Sequence, residues 1–284
     1  MISKFINDKI LFIKEIMIMD FKRKDFYTID DLVHIVELLR DPDEGCDWDK
    51  VQTHESIRQN FIEETYEAVD AIDKKDKELL QEELGDVLLQ VLLHSQMEKE
   101  EGTFEFKDIA NALAQKLVLR HPHVFKNEEI HGAENVSNRW EEIKNESHGH
   151  TKVSQTLNAV PNSFPALMYV QKLQKRVQAG KLPVPTQKQE IANIRKLLDK
   201  MESDIDNGGI GQEDIGSMMF SMVNLTRLNK MDAEEVLSLK GHEFLKIFNI
   251  FEDLALQNHV GFDTIDDALF KKLWTEAKGL AEGK

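Results

Sequence analysis

Between Glu63 and Asp86 the sequence places two acidic groups at helical spacing with fifteen residues between them. The first reads Glu63-Glu64-Thr65-Tyr66-Glu67 and the second Glu83-Leu84-Gly85-Asp86. Ile57, Phe61, Thr65, Ala68 and Ile72 predict a buried stripe on the first helix. Leu80, Leu84, Val87, Leu88, Val91 and Leu92 predict one on the second. Residues three apart share a helix face, so Glu64 pairs with Glu67 and Glu83 with Asp86. The short polar Asp73-Lys74-Lys75-Asp76 predicts an antiparallel hairpin. If the two acidic faces meet, four carboxylates converge. Like charges at that spacing destabilise a helix pair, so the arrangement calls for a reason. One reading is a site for a hard divalent cation, magnesium foremost, which takes oxygen ligands alongside substrate phosphates. The other is a pair of solvated acidic faces. Gly85 admits close approach of another backbone.

The rest of the chain narrows the partners. Its 284 residues suffice for one large or two modest domains. The net charge of −16 argues against nucleic acid or an anionic membrane as partner. It would also repel a polyphosphate unless bound cations and local Lys or Arg offset the field. The single cysteine, Cys46, excludes an internal disulfide and fits a reducing cytoplasm. No stretch has the apolar length to span a membrane. The apolar runs before Met19 lack a secretory peptide's continuous core, and Met17 or Met19 is the expected natural start.

Further along, Thr28 and Asp30 offer caps for a helix over 31–40, and Asp41 to Gly45 is a loop. Trp48 is either a stacking surface for a base or an anchor of that loop on the core, and the anchor is favoured. Thr53 is expected to cap the helix bearing Glu64. Phe106 to Arg120 predicts another helix, with Leu113 and Leu117 buried, and Pro122 stops it. Lys50, Lys116 and Arg120 are candidate phosphate contacts, since such cations are the usual partners of phosphate oxygens; solvated surface charge is the alternative. His121 and His123 are expected to satisfy backbone groups in a turn rather than bind metal. Val136 to Ser147 predicts a helix with Trp140 on its buried side. Residues 151–163 read as a linker, and 164–180, 188–204, 212–229, 232–257 and 264–278 as helices. No segment alternates with a period of two, so the fold class is all-α. Glu213 to Leu225 repeats the apolar pattern and glycine of Glu82 to His94, but Ser217 stands at the place of Asp86. Gln189-Glu190-x-x-Asn193 is matched to Glu63-Glu64-x-x-Glu67, leaving Glu190 and Asp214 of the acidic quartet.

The pattern Glu-Glu-x-x-Glu, spacer, Glu-x-x-Asp resembles the signature of the all-α nucleoside triphosphate pyrophosphohydrolases of the MazG family. Gly45-Cys46-Asp47-Trp48-Asp49-Lys50 with Gln52-Thr53-His54 resembles the family's segment before the first acidic helix, although the family commonly has proline where Asp47 stands. Arg120-His121-Pro122-His123-Val124-Phe125 resembles a later one. Pro165 to Met168 and Lys172 to Arg176 look like the junction into a second copy. The resemblance implies two tandem four-helix-type domains. These would be 28–150, catalytic, and 164–284, degenerate, after an extension at 1–27. It implies hydrolysis of nucleoside triphosphates to monophosphate and pyrophosphate, as housecleaning or nucleotide-pool control. Glu64, Glu67, Glu83 and Asp86 would then hold Mg²⁺, with Mn²⁺ as a substitute. Glu63 would orient or deprotonate water, Lys50, Lys116, Arg120 and Trp48 would contact substrate, and the protein would be a homodimer. Two rivals stand beside it. A di-iron bundle needs Glu-x-x-His, and neither Glu64 nor Glu83 has a histidine three residues on. A catalytically silent regulatory or partner-binding protein is the other.

Overall fold

The computed structural model describes residues 21–126, 128–147, 149–180, 182–206 and 208–283. Most of the extension expected at 1–27, with both candidate starts, lies outside the described residues. Among those residues no strand forms, and the chain divides into two compact units between Glu128 and Glu129. The all-α fold expected from the periodicity is the one observed.

In the first unit, α1 (Ile29–Leu39) begins at Thr28, whose hydroxyl accepts from the Asp31 amide while Asp31 accepts from the Thr28 amide. The next helices, α2 (Arg58–Lys74) and α3 (Lys77–Glu100), are joined by only Lys75 and Asp76. Lys75 takes the left-handed conformation that ends α2 (φ 57°), and Asp76 caps α3 by accepting from the Glu78 and Leu79 amides at 3.1 Å. So short a connection makes α2 and α3 an antiparallel hairpin, and buried Ala68 and Ala71 let the helices approach closely. Further on, α4 (Phe106–Arg120) runs back along α3, followed by the single turn α5 (Pro122–Phe125).

The core of this unit is Val36, Ile57, Leu92, Leu93 and Met97, with Leu88, Leu89 and Phe106 packed against it. Beside it, Arg40 is only 7% exposed. Its guanidinium donates twice to Glu100, at 2.9 and 2.8 Å, and to the Asp49 and Gln52 carbonyls at 2.6 and 3.2 Å. One side chain thereby ties the 41–52 loop to the end of α3. Within that loop a Cβ on Gly45 would lie 2.4 Å from the Asp41 carbonyl oxygen, so only glycine fits.

Several sequence expectations change here. Trp48 is 53% exposed, so it does not anchor its loop; Arg40 does, through hydrogen bonds no apolar pattern encodes. Thr53 and Ser56 bond one another in a turn ahead of α2, and Ile57 takes the cap position. Phe61, Ile72, Leu84, Leu113 and Leu117 are exposed, because periodicity identifies an apolar face but not what covers it. A side chain at Gly85 would meet nothing within 4 Å.

In the second unit the order is α6 (Ala133–Ser147), α7 (Val153–Asn158), α8 (Ala166–Ala179), α9 (Gln187–Ile205), α10 (Gln212–Leu228), α11 (Ala233–Gln257) and α12 (Asp267–Ala281). The segment expected as a linker contains α7, which packs on α8. Trp140 of α6 is half-buried under the Lys144 ammonium, 5.2 Å from the ring centre. A second hairpin forms from α9 and α10, and a third from α11 and α12. The third encloses Ile247, Phe251, Ala255, Leu273 and Ala277, with the Phe251 ring edge-on to Phe270 and Trp274 at 5.2 and 5.5 Å.

Arg40→Ala should destabilise the first unit by about 2–3 kcal/mol, because it removes the four hydrogen bonds of a buried cation and leaves the Asp49 and Gln52 carbonyls without that donor. Urea unfolding of the variant checks this. A change below about 0.5 kcal/mol, the level of an ordinary surface substitution, would show that the loop is held by other contacts.

Candidate functional site

The acidic residues sit midway along the first hairpin. Glu64 and Glu67 lie on α2, and Glu83 and Asp86 on α3. Oxygens of Glu64, Glu83 and Asp86 all lie within 4.8 Å of one another, each side chain half-buried. Glu64 is pushed above the ordinary carboxylate range, first by loss of water and then by the charges of Asp86, Glu67 and Glu83. Glu83 is pushed the same way, by loss of water and then by Glu67 and Asp86. Glu67 therefore acts on both, although it is more exposed than the other three. No cation is among these dominant influences, so the negative charge here is unrelieved by the protein itself.

The other candidates are placed less uniformly. Glu63 lies outside the cluster of three, exposed, with the Gln59 amide donating to it at 3.3 Å. Lys50 pairs with Asp47 at 2.7 Å, and that hydrogen bond pushes the lysine's pKa up. The turn at 101–105 sends α4 back along α3, so Lys116 and Arg120 lie toward the end bearing Glu83 and Asp86. Lys116 is exposed there, whereas Arg120 is buried. His121 Nδ1–H donates to the Leu117 carbonyl at 2.6 Å, so it satisfies the chain as expected of a turn histidine.

Sequence reading assigns no role to His54 or His94, yet they meet beside this site with Nδ1 atoms 2.7 Å apart and rings stacked. No spacing in the sequence signals this contact, because His54 lies in the turn before α2 and His94 on α3, forty residues further on.

The second hairpin handles its acids differently. Glu190 is buried and accepts from the Asn224 side chain, whose own oxygen accepts from Arg227 at 3.0 and 2.7 Å. Asp214 is paired with Lys200, which also reaches Asp204 at 3.3 Å. Ten residues separate Glu190 from Lys200 on α9, or about 15 Å of helix. Glu190 and Asp214 therefore belong to separate places and are not the remains of one site. The repeat misaligns them because two residues join α2 to α3, whereas six, 206–211, join α9 to α10. Each acid has a protein partner that relieves or fixes it.

Three unrelieved carboxylates with several open oxygens suit a hard divalent cation. The first hairpin offers that donor set, and the cited partners in the second leave no equivalent one. Comparison with known proteins falls on the same segment. A family model described as the MazG nucleotide pyrophosphohydrolase domain matches residues 52–125, which include all four acids. The nucleoside triphosphate pyrophosphohydrolase of Escherichia coli K12 is 35% identical over 254 residues, covering 88% of this chain and 97% of that protein. A Thermotoga maritima protein, named nucleoside triphosphate pyrophosphohydrolase/pyrophosphatase MazG, is 34% identical over 250 residues, 88% of this chain and 95% of its own length. Bacillus subtilis YabN, described as uncharacterized, is 38% identical over 247 residues, half of its length.

Glu64→Gln should leave the metal-free fold intact and raise its stability at neutral pH by a few tenths of a kcal/mol, within the roughly 0.2–1 kcal/mol range of exposed pairs. The sign follows from the raised pKa values. The repulsive cost is absent below the unfolded carboxylate pKa and complete above the folded one, so the variant's advantage disappears in acid. Divalent ion should raise the melting temperature of the parent and not of the variant. That rise should fade as pH falls through the raised carboxylate range, because protons compete for the same oxygens. Thermal denaturation with and without MgCl₂ reads all three.

Proposed function

We propose that this chain, which belongs to the MazG family of nucleotide pyrophosphohydrolases, hydrolyses nucleoside triphosphates to monophosphate and pyrophosphate at its first acidic hairpin. The observation that carries this reading is the meeting of Glu64, Glu83 and Asp86 within 4.8 Å with their charge unrelieved. These three, with Glu67 beside them, would hold Mg²⁺ or, in its place, Mn²⁺. The bound ion supplies neutralisation of the triphosphate and acidification of water. Glu63, exposed and one residue before Glu64, would orient or take a proton from the attacking water. Lys116 and Arg120 would steady phosphate oxygens from α4, Lys116 from an exposed position and Arg120 from a buried one. Lys50 and Trp48 lie on the loop that Arg40 ties down, and exposed Trp48 is free to cover a bound nucleotide.

The second unit is proposed to be catalytically silent, supported by the internal cations beside its acids. Exposed Ile62, Tyr66, Val69 and Leu84 on the first hairpin support a homodimer, since apolar helix faces of this kind are covered in stable assemblies. Sedimentation of a monomer at micromolar concentration would remove that part of the reading. A single, exposed, unpaired cysteine suits the reducing cytoplasm, and hydrolysis of altered or surplus triphosphates suits a role in control of the nucleotide pool.

Phosphorus NMR of products formed with Mg²⁺ is the test. Monophosphate and pyrophosphate are expected; diphosphate and orthophosphate would assign the protein to another class. Glu64→Gln and Asp86→Asn should each lower turnover about 100-fold or more, since even outer partners of metal ligands cost roughly 10–100-fold. The double variant Glu190→Gln with Asp214→Asn should turn over like the parent. Loss of activity there, with Glu64→Gln still active, would reverse the roles of the two units.

A further inference from the structure

Beyond the carboxylates, α2 and α3 wall a recess of about 360 Å³ lined by His54, Phe61, Val91, His94, Phe104 and Ile109. That volume lies toward the lower end of small-molecule sites, roughly 300–1,000 Å³. Phe61 stands about 4.5 Å along the axis from Glu64, and His94 about 12 Å from Asp86 in the same direction, because the helices are antiparallel. The recess therefore lies along the same two helices as the acids, one to two turns further from the turn at Lys75 and Asp76. Its walls are mostly apolar, with the Phe61 ring tilted against His94 at 5.6 Å between centres.

The polar part of the wall is a directed chain. Glu98 accepts from His54 Nε2 at 2.9 Å, and His54 Nδ1 faces His94 Nδ1 at 2.7 Å. A carboxylate only accepts, so His54 carries its proton on Nε2. With both rings neutral, His54 Nδ1 accepts, His94 Nδ1 donates, and His94 Nε2 is left as a bare acceptor. No other hydrogen-bond partner meets His94 among the described residues. Burial, and then the neighbouring His54, hold His94 below its ordinary pKa and so keep it neutral. Both nitrogens of His54 are engaged, which excludes this pair as a metal site.

We propose that the recess receives the nucleobase of the triphosphate, stacked along Phe61, with His94 Nε2 accepting a hydrogen bond from an amino group on the base. The proposal rests on the phosphohydrolase reading above. A nucleotide suits the arrangement because its ribose separates a flat, aromatic end from a polyanionic one, as one to two turns of helix separate the aromatic walls from the carboxylates. Stacking on an aromatic ring accepts any base; the acceptor at His94 selects among them. Cytosine has an amino donor at position 4 beside an acceptor nitrogen at position 3, whereas uracil has a carbonyl at position 4 beside an N–H donor at position 3, so an acceptor aligned with position 4 meets a donor only in cytidine.

The experiment uses the full chain with Mg²⁺, cytidine and uridine triphosphates as substrates, and inorganic tripolyphosphate as a competitor lacking a base. The parent should favour cytidine. Phe61→Ala, at a partly exposed position that spares the fold, should raise KM for both about tenfold, the equivalent of one modest contact. Its kcat should change less, and the inhibition constant of tripolyphosphate should hold. His94→Phe, which keeps a ring and removes the acceptor, should abolish the cytidine preference. Unchanged KM values, a parallel loss of tripolyphosphate affinity, or a preference for uridine overturns the subsite. So does dissociation of an assembly by Phe61→Ala, which would make the recess a seat for a second copy. Pyrophosphate release by the parent with unaltered variants sinks the subsite alone, whereas no pyrophosphate release by the parent sinks the phosphohydrolase reading and the subsite with it.

Discussion

Repulsion among Glu64, Glu83 and Asp86 is the constraint that the first hairpin is built to withstand. The molecule meets it by separating packing from chemistry along one helix. Every buried residue of α3 lies between Gln90 and Met97, and the acids lie in the half before it. Five core side chains, Val36, Ile57, Leu92, Leu93 and Met97, contribute roughly 1.5–3 kcal/mol each as an upper range. The turn at Lys75 and Asp76 closes the other end. Held at both ends, the acidic segment need not contribute stability of its own. Its charge can stay unrelieved, and unrelieved charge is what gives a cation a reason to bind.

The second unit shows the same helical plan without that constraint. Lys200 lies between Asp204 and Asp214, and Asn224 with Arg227 engages Glu190. A protein cation at an acid gives a fixed pairing and removes the incentive for an external one. Helix packing survives such exchanges because apolar contacts, not the acids, hold the hairpin. Asn193 donating to Ser221 completes a set of polar contacts internal to the fold. The two hairpins thus differ in charge compensation as well as in the register that their connections set.

Helix positions were legible because their signals are local. Thr28, Asp76, Thr186, Asp232 and Asp266 each cap the helix that follows, and of the four acids expected to converge on α2 and α3, Glu64, Glu83 and Asp86 meet while Glu67 stays outside that group. What failed was whatever depends on a neighbour distant in sequence. Trp48 reads as an anchor until Arg40 is seen to do that work from another helix. Glu190 and Asp214 read as one site until the longer connection between α9 and α10 sets a different register. Apolar Phe61 and Leu84 fit a stripe, but a period of 3.6 cannot say whether a face meets the core, a ligand or another copy. His54 and His94 are forty residues apart, and no local pattern foretells their contact.

The overall charge gives the site its order of events. A triphosphate approaching a chain of net charge −16 meets a repulsive field, and the local cations do little to cancel it. Lys50 is already paired with Asp47, Arg120 is buried, and exposed Lys116 is a single solvated charge. Were these cations sufficient, the carboxylates would feel them and their pKa values would fall. Glu64 and Glu83 move the other way. On the proposed reading the compensating charge would come from solution, either on the carboxylates beforehand or with the phosphates. Both routes bring phosphate and carboxylate together only where a cation lies between them. On that reading the acids would act as a filter as well as a seat: an uncompensated polyanion would be turned away by the same charges that hold a compensated one.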